Sequence, residues 1–521
     1  MVNGVLSAVK AANVLYPVLF SLVCVVAVFG LIWIMVRTVG KTDTGTESEA
    51  DAEKKPNAVA LLGVFLVIGF LLRLIFVFAV KGNRTDMNAF TELFAYIKAY
   101  GFGKAYYASQ GMGIFPLTYY IYAFMSVFFN AFSLTADSAF AALFVKLPLI
   151  AADLITAFLL YKTARKYANS AVAVTVAAFV CVCPLFVFAS GVWGSVYSLV
   201  AMFAALTLYF LVEKNFIATI GCYAAALLCH KSVLCLFPAI AVFVVYNLVK
   251  ACKAVHTAKN VTFGQVLADK EMRPVFTVPV SVVGFAIVSY LAALPVMIDS
   301  YGAGYFTFLY RVYIKPLASF TVFGHNSLGI FNLFMRNGKA LNVRFPSVIF
   351  TILFALIITG IVLLVYLSKK NRANLVFLCG YIVFTLATYF VGYEEFSLLS
   401  AVVIFLLSFP LIRDKRILSV AGILMLLITV NASAVMASAG YYNNSVAYDF
   451  TAEAGYAGAE ILQGGAQAVT IVCSALAVLT HLYATVILLD ISMSNKRKVL
   501  PYIENATFGK AMRSFFARTA G

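Results

Sequence analysis

Thirteen apolar runs, separated by short polar stretches, decide what this chain can become. They lie near 15–36, 58–80, 139–161, 168–190, 196–212, 215–230, 232–250, 275–298, 347–368, 373–391, 396–412, 416–437 and 467–491. A bilayer core about 30 Å thick takes about 20 apolar residues as a helix. Backbone polar groups in lipid must be satisfied within the segment, so such runs become helices. The expected fold is an all-α polytopic membrane bundle of about 13 transmembrane helices. Of 521 residues, 63% are apolar and 11% are charged, and mean hydropathy is +0.97. Soluble proteins carry about 25% charged residues. A disordered chain, a nucleic-acid-binding module and a standard soluble enzyme are excluded. The run 15–36 is too long for the core of a signal peptide and precedes further spans.

The net charge is +17, from 38 Lys+Arg against 21 Asp+Glu. Most of that excess reads as topology, because cytoplasmic loops collect Lys and Arg. The clusters Lys162/Arg165/Lys166, Lys369/Lys370/Arg372, Arg413/Lys415/Arg416 and Lys496/Arg497/Lys498, with the segment 250–273, fall on one side of the helix count. A fourteenth apolar run, 113–133, breaks that parity if it spans. It is therefore read as non-spanning, part of a long outer loop over about 81–138. Within that loop, 86–100 has apolar residues Met87, Phe90, Phe94 and Ile97 at helical spacing and reads as an amphipathic helix. The polar loop 37–57 sets the first helix apart. The organisation expected is 1–57 as an accessory helix plus polar cytoplasmic loop, 58–435 as the main membrane domain, and 436–521 as an outer loop, last helix and basic tail.

Eight of nine cysteines lie inside apolar runs, where cysteine behaves as a small hydrophobe, and no CxxC pair points to metal or redox chemistry. P-loop, GxGxxG, HExxH and nucleophile-elbow patterns are absent from the sequence. The residues able to carry chemistry fall on the outer side of the helix count. Asp86 opens the amphipathic helix, either as a general base on a hydroxyl or as a helix N-cap. Lys146 and Asp153 lie two turns apart on one helix face, either as a buried pair or with Lys146 holding a lipid phosphate. His230 and Lys231 interrupt an apolar stretch at a helix junction. Glu394 and Glu395 follow a span, as a polar site or as a solvated turn. The loop 299–346 carries Arg311, Lys315, His325, Asn326, Asn332, Arg336 and Arg344 among many aromatic residues, a cationic outer surface suited to an anionic substrate or an aromatic belt at the interface.

Taken in order, these features resemble the GT-C class of polytopic glycosyltransferases, within it bacterial proteins related to the glycosylphosphatidylinositol mannosyltransferases. The resemblance is carried by Thr85-Asp86-Met87-Asn88-Ala89-Phe90, Ile114-Phe115-Pro116-Leu117-Thr118-Tyr119-Tyr120, Lys146-Leu147-Pro148 with Ala152-Asp153-Leu154, Trp193-Gly194-Ser195-Val196-Tyr197-Ser198, the junction at Lys231, Gly329-Ile330-Phe331-Asn332-Leu333-Phe334, and Tyr393-Glu394-Glu395-Phe396. It is collinear over about 58–435. The chain departs from the family pattern at Tyr197, where a carboxylate is usual, in the Tyr-Pro-Pro element, and in the late His-Glu-Arg turn.

The resemblance implies a long first outer loop with amphipathic and re-entrant helices. It also implies transfer of a hexose, mannose first, from a polyprenyl-phosphate sugar to a lipid, glycan or protein acceptor outside a bacterial plasma membrane. Asp86 would be the base. Lys231, Arg311, Lys146 and His230 would hold the donor phosphate, and Trp193, Tyr197, Asn332, Glu394 and Glu395 would contact substrate. Fixed cations would make a metal or other cofactor unnecessary. The intramembrane charges leave a lipid or solute transporter or flippase open as a second expectation, and the motif departures an inactive polyprenyl-lipid-binding scaffold as a third.

Overall fold

The computed structural model describes residues 58–80, 82–108, 114–135, 138–258, 261–300, 304–314, 326–335, 353, 356–363, 365–366, 371–390, 393–438 and 467–493. Among these residues the chain is helical and contains no strand. The helices used below are α1 (Ala58–Ala79), α2 (Arg84–Tyr100), α3 (Phe102–Ala108), α4 (Pro116–Ala131), α5 (Ala139–Tyr167), α6 (Ser170–Val182), α7 (Pro184–Trp193), α8 (Tyr197–Val212), α9 (Phe216–Cys229), α10 (Phe237–Thr257), α11 (Phe263–Ala268), α12 (Pro274–Ser300), α13 (Tyr305–Leu309), α14 (Arg372–Tyr389), α15 (Leu399–Ile412), α16 (Lys415–Ser438) and α17 (Gln467–Met493).

Seven helices are long and apolar enough to cross a membrane, and an eighth forms if α6 and α7, bent by 41°, count as one span. α8, α9 and α15 are apolar but only 14 to 16 residues long. The thirteen expected spans comprise these elements, the run 15–36 outside the described residues, and 347–368, of which 356–363 is helical. The accessory domain 1–57 and the basic tail likewise lie outside the described residues, as do His325, Lys315, Arg336 and Arg344.

α1 shows how composition becomes packing in lipid. It buries Leu62, Gly69, Arg73 and Val77 along one stripe and exposes Val64, Val67, Ile68, Leu71, Ile75 and Phe78 on the other sides. α15 is the opposite case, with Leu399 through Pro410 buried all round, and it forms the axis of the main core. α4, within the run 113–133, is a rod of 16 residues and about 24 Å. Thr118 donates to the Cys229 carbonyl at the end of α9, Tyr122 to the Val145 carbonyl, and Phe128 and Phe132 both stack on Phe144. α2 lays Phe90 and Phe94 onto α4, with Phe90 stacked on Tyr122 at 3.8 Å and Phe94 against Phe129 at 5.0 Å.

The bundle has two chemically distinct ends. At one, Lys166 pairs with Glu213 at 2.5 Å, Arg413 donates to the Tyr167 carbonyl, and Arg416 bridges Asp414 and Asp490. Lys162, Lys250 and Arg372 sit at this end too. The described members of the basic clusters thus meet on one side. Asp86, Trp193, Tyr197, His230 and Glu395 meet at the other.

Candidate functional site

The non-basic end is built around a break in the α6–α7 path. Pro184 has no N–H to give, and Cys183 is extended at ψ 132°, so carbonyls at the end of α6 lose their helical partners. Arg73 of α1 takes them. Its guanidinium donates to Val180 at 3.1 Å, Cys181 at 2.7 Å, Gly69 at 3.0 Å, Ser190 Oγ at 2.9 Å and Asp153 Oδ2 at 3.2 Å. The expectation that Lys146 and Asp153 pair with each other is corrected here. Asp153 serves Arg73, a residue the sequence reading passed over. Its signal was an arginine inside the apolar run 58–80, where an ionisable side chain marks a specific role.

Beyond the break, α7 widens into a π-helix over Val187–Trp193 and stops at Gly194, whose φ of +90° suits glycine. The turn aims Trp193 at α2. The Trp193 carbonyl accepts from the Asn83 N–H at 2.9 Å, and its indole Nε1 donates to Asp86 Oδ2 at 2.7 Å. Asn83, not Asp86, is the N-cap of α2: its side-chain oxygen accepts from the Asp86 N–H at 3.2 Å. The N-cap alternative for Asp86 is therefore set aside. Its carboxylate is half-buried and oriented by an indole, a charge-assisted bond of about 1.5–3 kcal/mol. Burial, and then the negative charge of Asp86, hold the phenol of Tyr122 well above its ordinary pKa, so it stays a neutral neighbour.

Trp193 packs edge-on against Phe396 at 5.1 Å, which ties this corner to the Glu394-Glu395 turn. Glu395 is buried and accepts from Asn326 Nδ2 at 2.6 Å, which corrects the solvated-turn alternative. Behind it runs a buried polar chain: Asn431 Nδ2 donates to the Asn326 carbonyl, and Thr470 to Asn431 Oδ1. The Glu394 N–H donates to Ser397 Oγ, and Ser397 donates to the Tyr197 hydroxyl at 3.4 Å. The Tyr197 ring lies 5.0 Å from that of His230, whose Nδ1 meets Ser232 Oγ at 2.8 Å. Phe115 of the α4 N-terminus packs on both His230 and Tyr313. Lys231, half-buried, follows directly.

The structure thus brings Asp86, Trp193, Tyr197, His230, Lys231, Glu394 and Glu395 into one continuous patch at the end of three short helices. Arg311 is exposed on the π-helical turn Tyr310–Ile314, two residues from Tyr313. Two expected contacts fall elsewhere. Asn332 is buried and its amide donates to the Ser327 carbonyl, so it braces the Asn326 turn. Lys146 is fully buried, and its two hydrogen bonds go to the carbonyls of Val80 and Gly191 at 2.9 and 3.0 Å, which leaves it no access to a lipid phosphate. Among the described residues no cluster of three metal-ligating side chains occurs. Comparison of the chain with protein-family models, curated proteins and solved structures finds no match to any of them.

Proposed function

We propose that the patch around Asp86 is the active site of a membrane glycosyltransferase that moves a hexose, mannose first, from a polyprenyl-phosphate sugar to a lipid, glycan or protein acceptor. The observation that carries this reading is the Asp86 carboxylate, half-buried and aimed by the Trp193 indole, at the lip of a membrane bundle. In the reaction, the acceptor hydroxyl oxygen attacks the anomeric carbon and the bond from that carbon to the phosphate oxygen breaks. The hydroxyl proton passes to Asp86, and the electron pair leaves on the polyprenyl phosphate. His230, Lys231 and Arg311 supply donors for the phosphate as its charge grows. In this reading Glu394 meets the sugar hydroxyls, and the buried Trp193, Tyr197 and Glu395 form the wall behind it. The aromatic faces of α2 and α4 support a groove for the polyprenyl chain. This reading takes the basic end as cytoplasmic, in keeping with the positive-inside rule, and with it the site as facing the outside of a bacterial plasma membrane.

The internal charges favour this over a translocation path, since Arg73, Asp153 and Lys146 are spent on backbone carbonyls and on each other. The test is transfer of label from polyprenyl-phosphate mannose, and from other hexose donors, to a crude lipid and glycan acceptor extract. Asp86→Asn is expected to abolish transfer by the purified protein while leaving expression unchanged. Transfer that survives the substitution ends the assignment of the base.

A further inference from the structure

The fully buried lysine beneath the patch has an employment that the transfer chemistry does not give it. Lys146 enters from α5, two residues before Pro148, and is fully buried at 0% exposure. A buried ammonium without a carboxylate is costly. Among the described residues its partners are two backbone carbonyls, Val80 at 2.9 Å and Gly191 at 3.0 Å. Neither lies in regular α-helix. Val80 directly follows α1 and lies three residues before Asn83, while Gly191 lies in the π-helix two residues before Trp193. These are the two arms that hold Asp86: Asn83 caps its helix, Trp193 binds its carboxylate, and the Asn83 N–H joins the arms through the Trp193 carbonyl. The lysine stem fills the space between them. A Cβ at Gly82 would stand 3.2 Å from Lys146 Cε and 2.8 Å from the Trp193 carbonyl oxygen.

We propose that Lys146 is a positioning residue, a hydrogen-bonding clamp that binds the end of α1 to the π-helix of α7 and thereby fixes Asp86 against Trp193. This inference rests on the reading of Asp86 as the base, and its test separates the two. The chain holds two tryptophans, Trp33 and Trp193. In the full chain carrying Trp33→Phe, Trp193 becomes the sole reporter of the Asp86 contact. Asp86→Ala in that background fixes the emission maximum and acrylamide quenching of an indole without its carboxylate. Lys146→Met is expected to move both quantities toward the Asp86→Ala values. Lys146→Gln, which keeps an amide donor, serves where the methionine variant does not give monodisperse protein, and is expected to move them part of the way. Emission and quenching that match the parent in the folded variant overturn the clamp, whatever the protein catalyses.

Where transfer is measurable, the split of kinetic constants gives the second arm. A clamp that lets the base drift by an ångström costs about a hundred-fold in kcat and leaves the donor KM within two-fold. A raised donor KM with kcat unchanged would mean that Lys146 binds the phosphate, and would overturn the clamp. An emission shift toward the Asp86→Ala values, with no transfer in the parent protein, would leave the clamp standing and remove the enzymatic reading.

Discussion

Arg73 spends its guanidinium on three other helices at once, and that is the reason to expect a large response from it. Removing the arginine leaves Asp153 as a buried carboxylate among apolar helices, a change that costs about 3–5 kcal/mol. Arg73→Met is therefore expected to lower the unfolding midpoint sharply in detergent, and Asp153→Asn to lower it less, since the carbonyl bonds to Val180 and Cys181 remain. The double variant Arg73→Met/Asp153→Leu should recover part of the loss, because it removes the orphaned charge. A double variant as unstable as the single arginine replacement would show that the carbonyl caps, not the ion pair, carry the stability. Asp86, Trp193, Tyr197, His230, Lys231 and Glu395 could be picked from the sequence because each is a polar or aromatic residue at the edge of an apolar run. The partner of Asp153 could not be, because helical spacing ranks neighbours on one helix and says nothing about the helix across the interface. Lys146 was misjudged for the same reason. Two turns of helix separate it from Asp153, and each turns to a different neighbour.

The elements were legible where a run was long and uniformly apolar. α1, α12, α14, α16 and α17 sit within a few residues of where their runs place them, and α5 and α10 reach six and seven residues further at their basic ends. The break at Cys183–Pro184 was hidden inside one continuous run, since a proline in an apolar segment reads equally as a kink or a boundary. The π-helix had no signal in residue type at all. Its end can be tested through Gly194, where φ is +90° and a Cβ would come 3.0 Å from Met87 Sδ. Gly194→Ala is expected to cost about 1 kcal/mol or more of stability and to shift Trp193 emission, since the turn that aims the indole must relax. At the basic end, Glu213 joins α8 to α5. Burial pushes its carboxyl pKa up, but hydrogen bonds from Lys166 and Tyr167 outweigh this and hold it below the ordinary value. A depressed carboxyl contributes stability above the unfolded pKa and loses it as pH falls through the folded one. Glu213→Gln should flatten the acid limb of a stability–pH curve and leave the neutral plateau lowered.

For the whole molecule, the segregation of basic residues at one end makes a prediction about sidedness that needs no substrate. Cys252 lies on α10 near that end and is exposed, whereas the other described cysteines are buried or half-buried. In a Cys24→Ser background, an impermeant maleimide should label Cys252 in inverted vesicles and not in right-side-out cells. The reverse pattern would place Asp86 on the cytoplasmic side.

Arg73 also bears on how the protein is made. On insertion scales an arginine within a span costs about 2.5–3.5 kcal/mol, and α1 meets that cost before its remedies exist. Asp153 follows Arg73 by 80 residues and the Cys181 carbonyl by 108. α1 therefore leaves the ribosome well ahead of the groups that neutralise it. Its many apolar residues outweigh that cost, so what comes late in synthesis is the pairing of its arginine, timed by the emergence of α5 and α6.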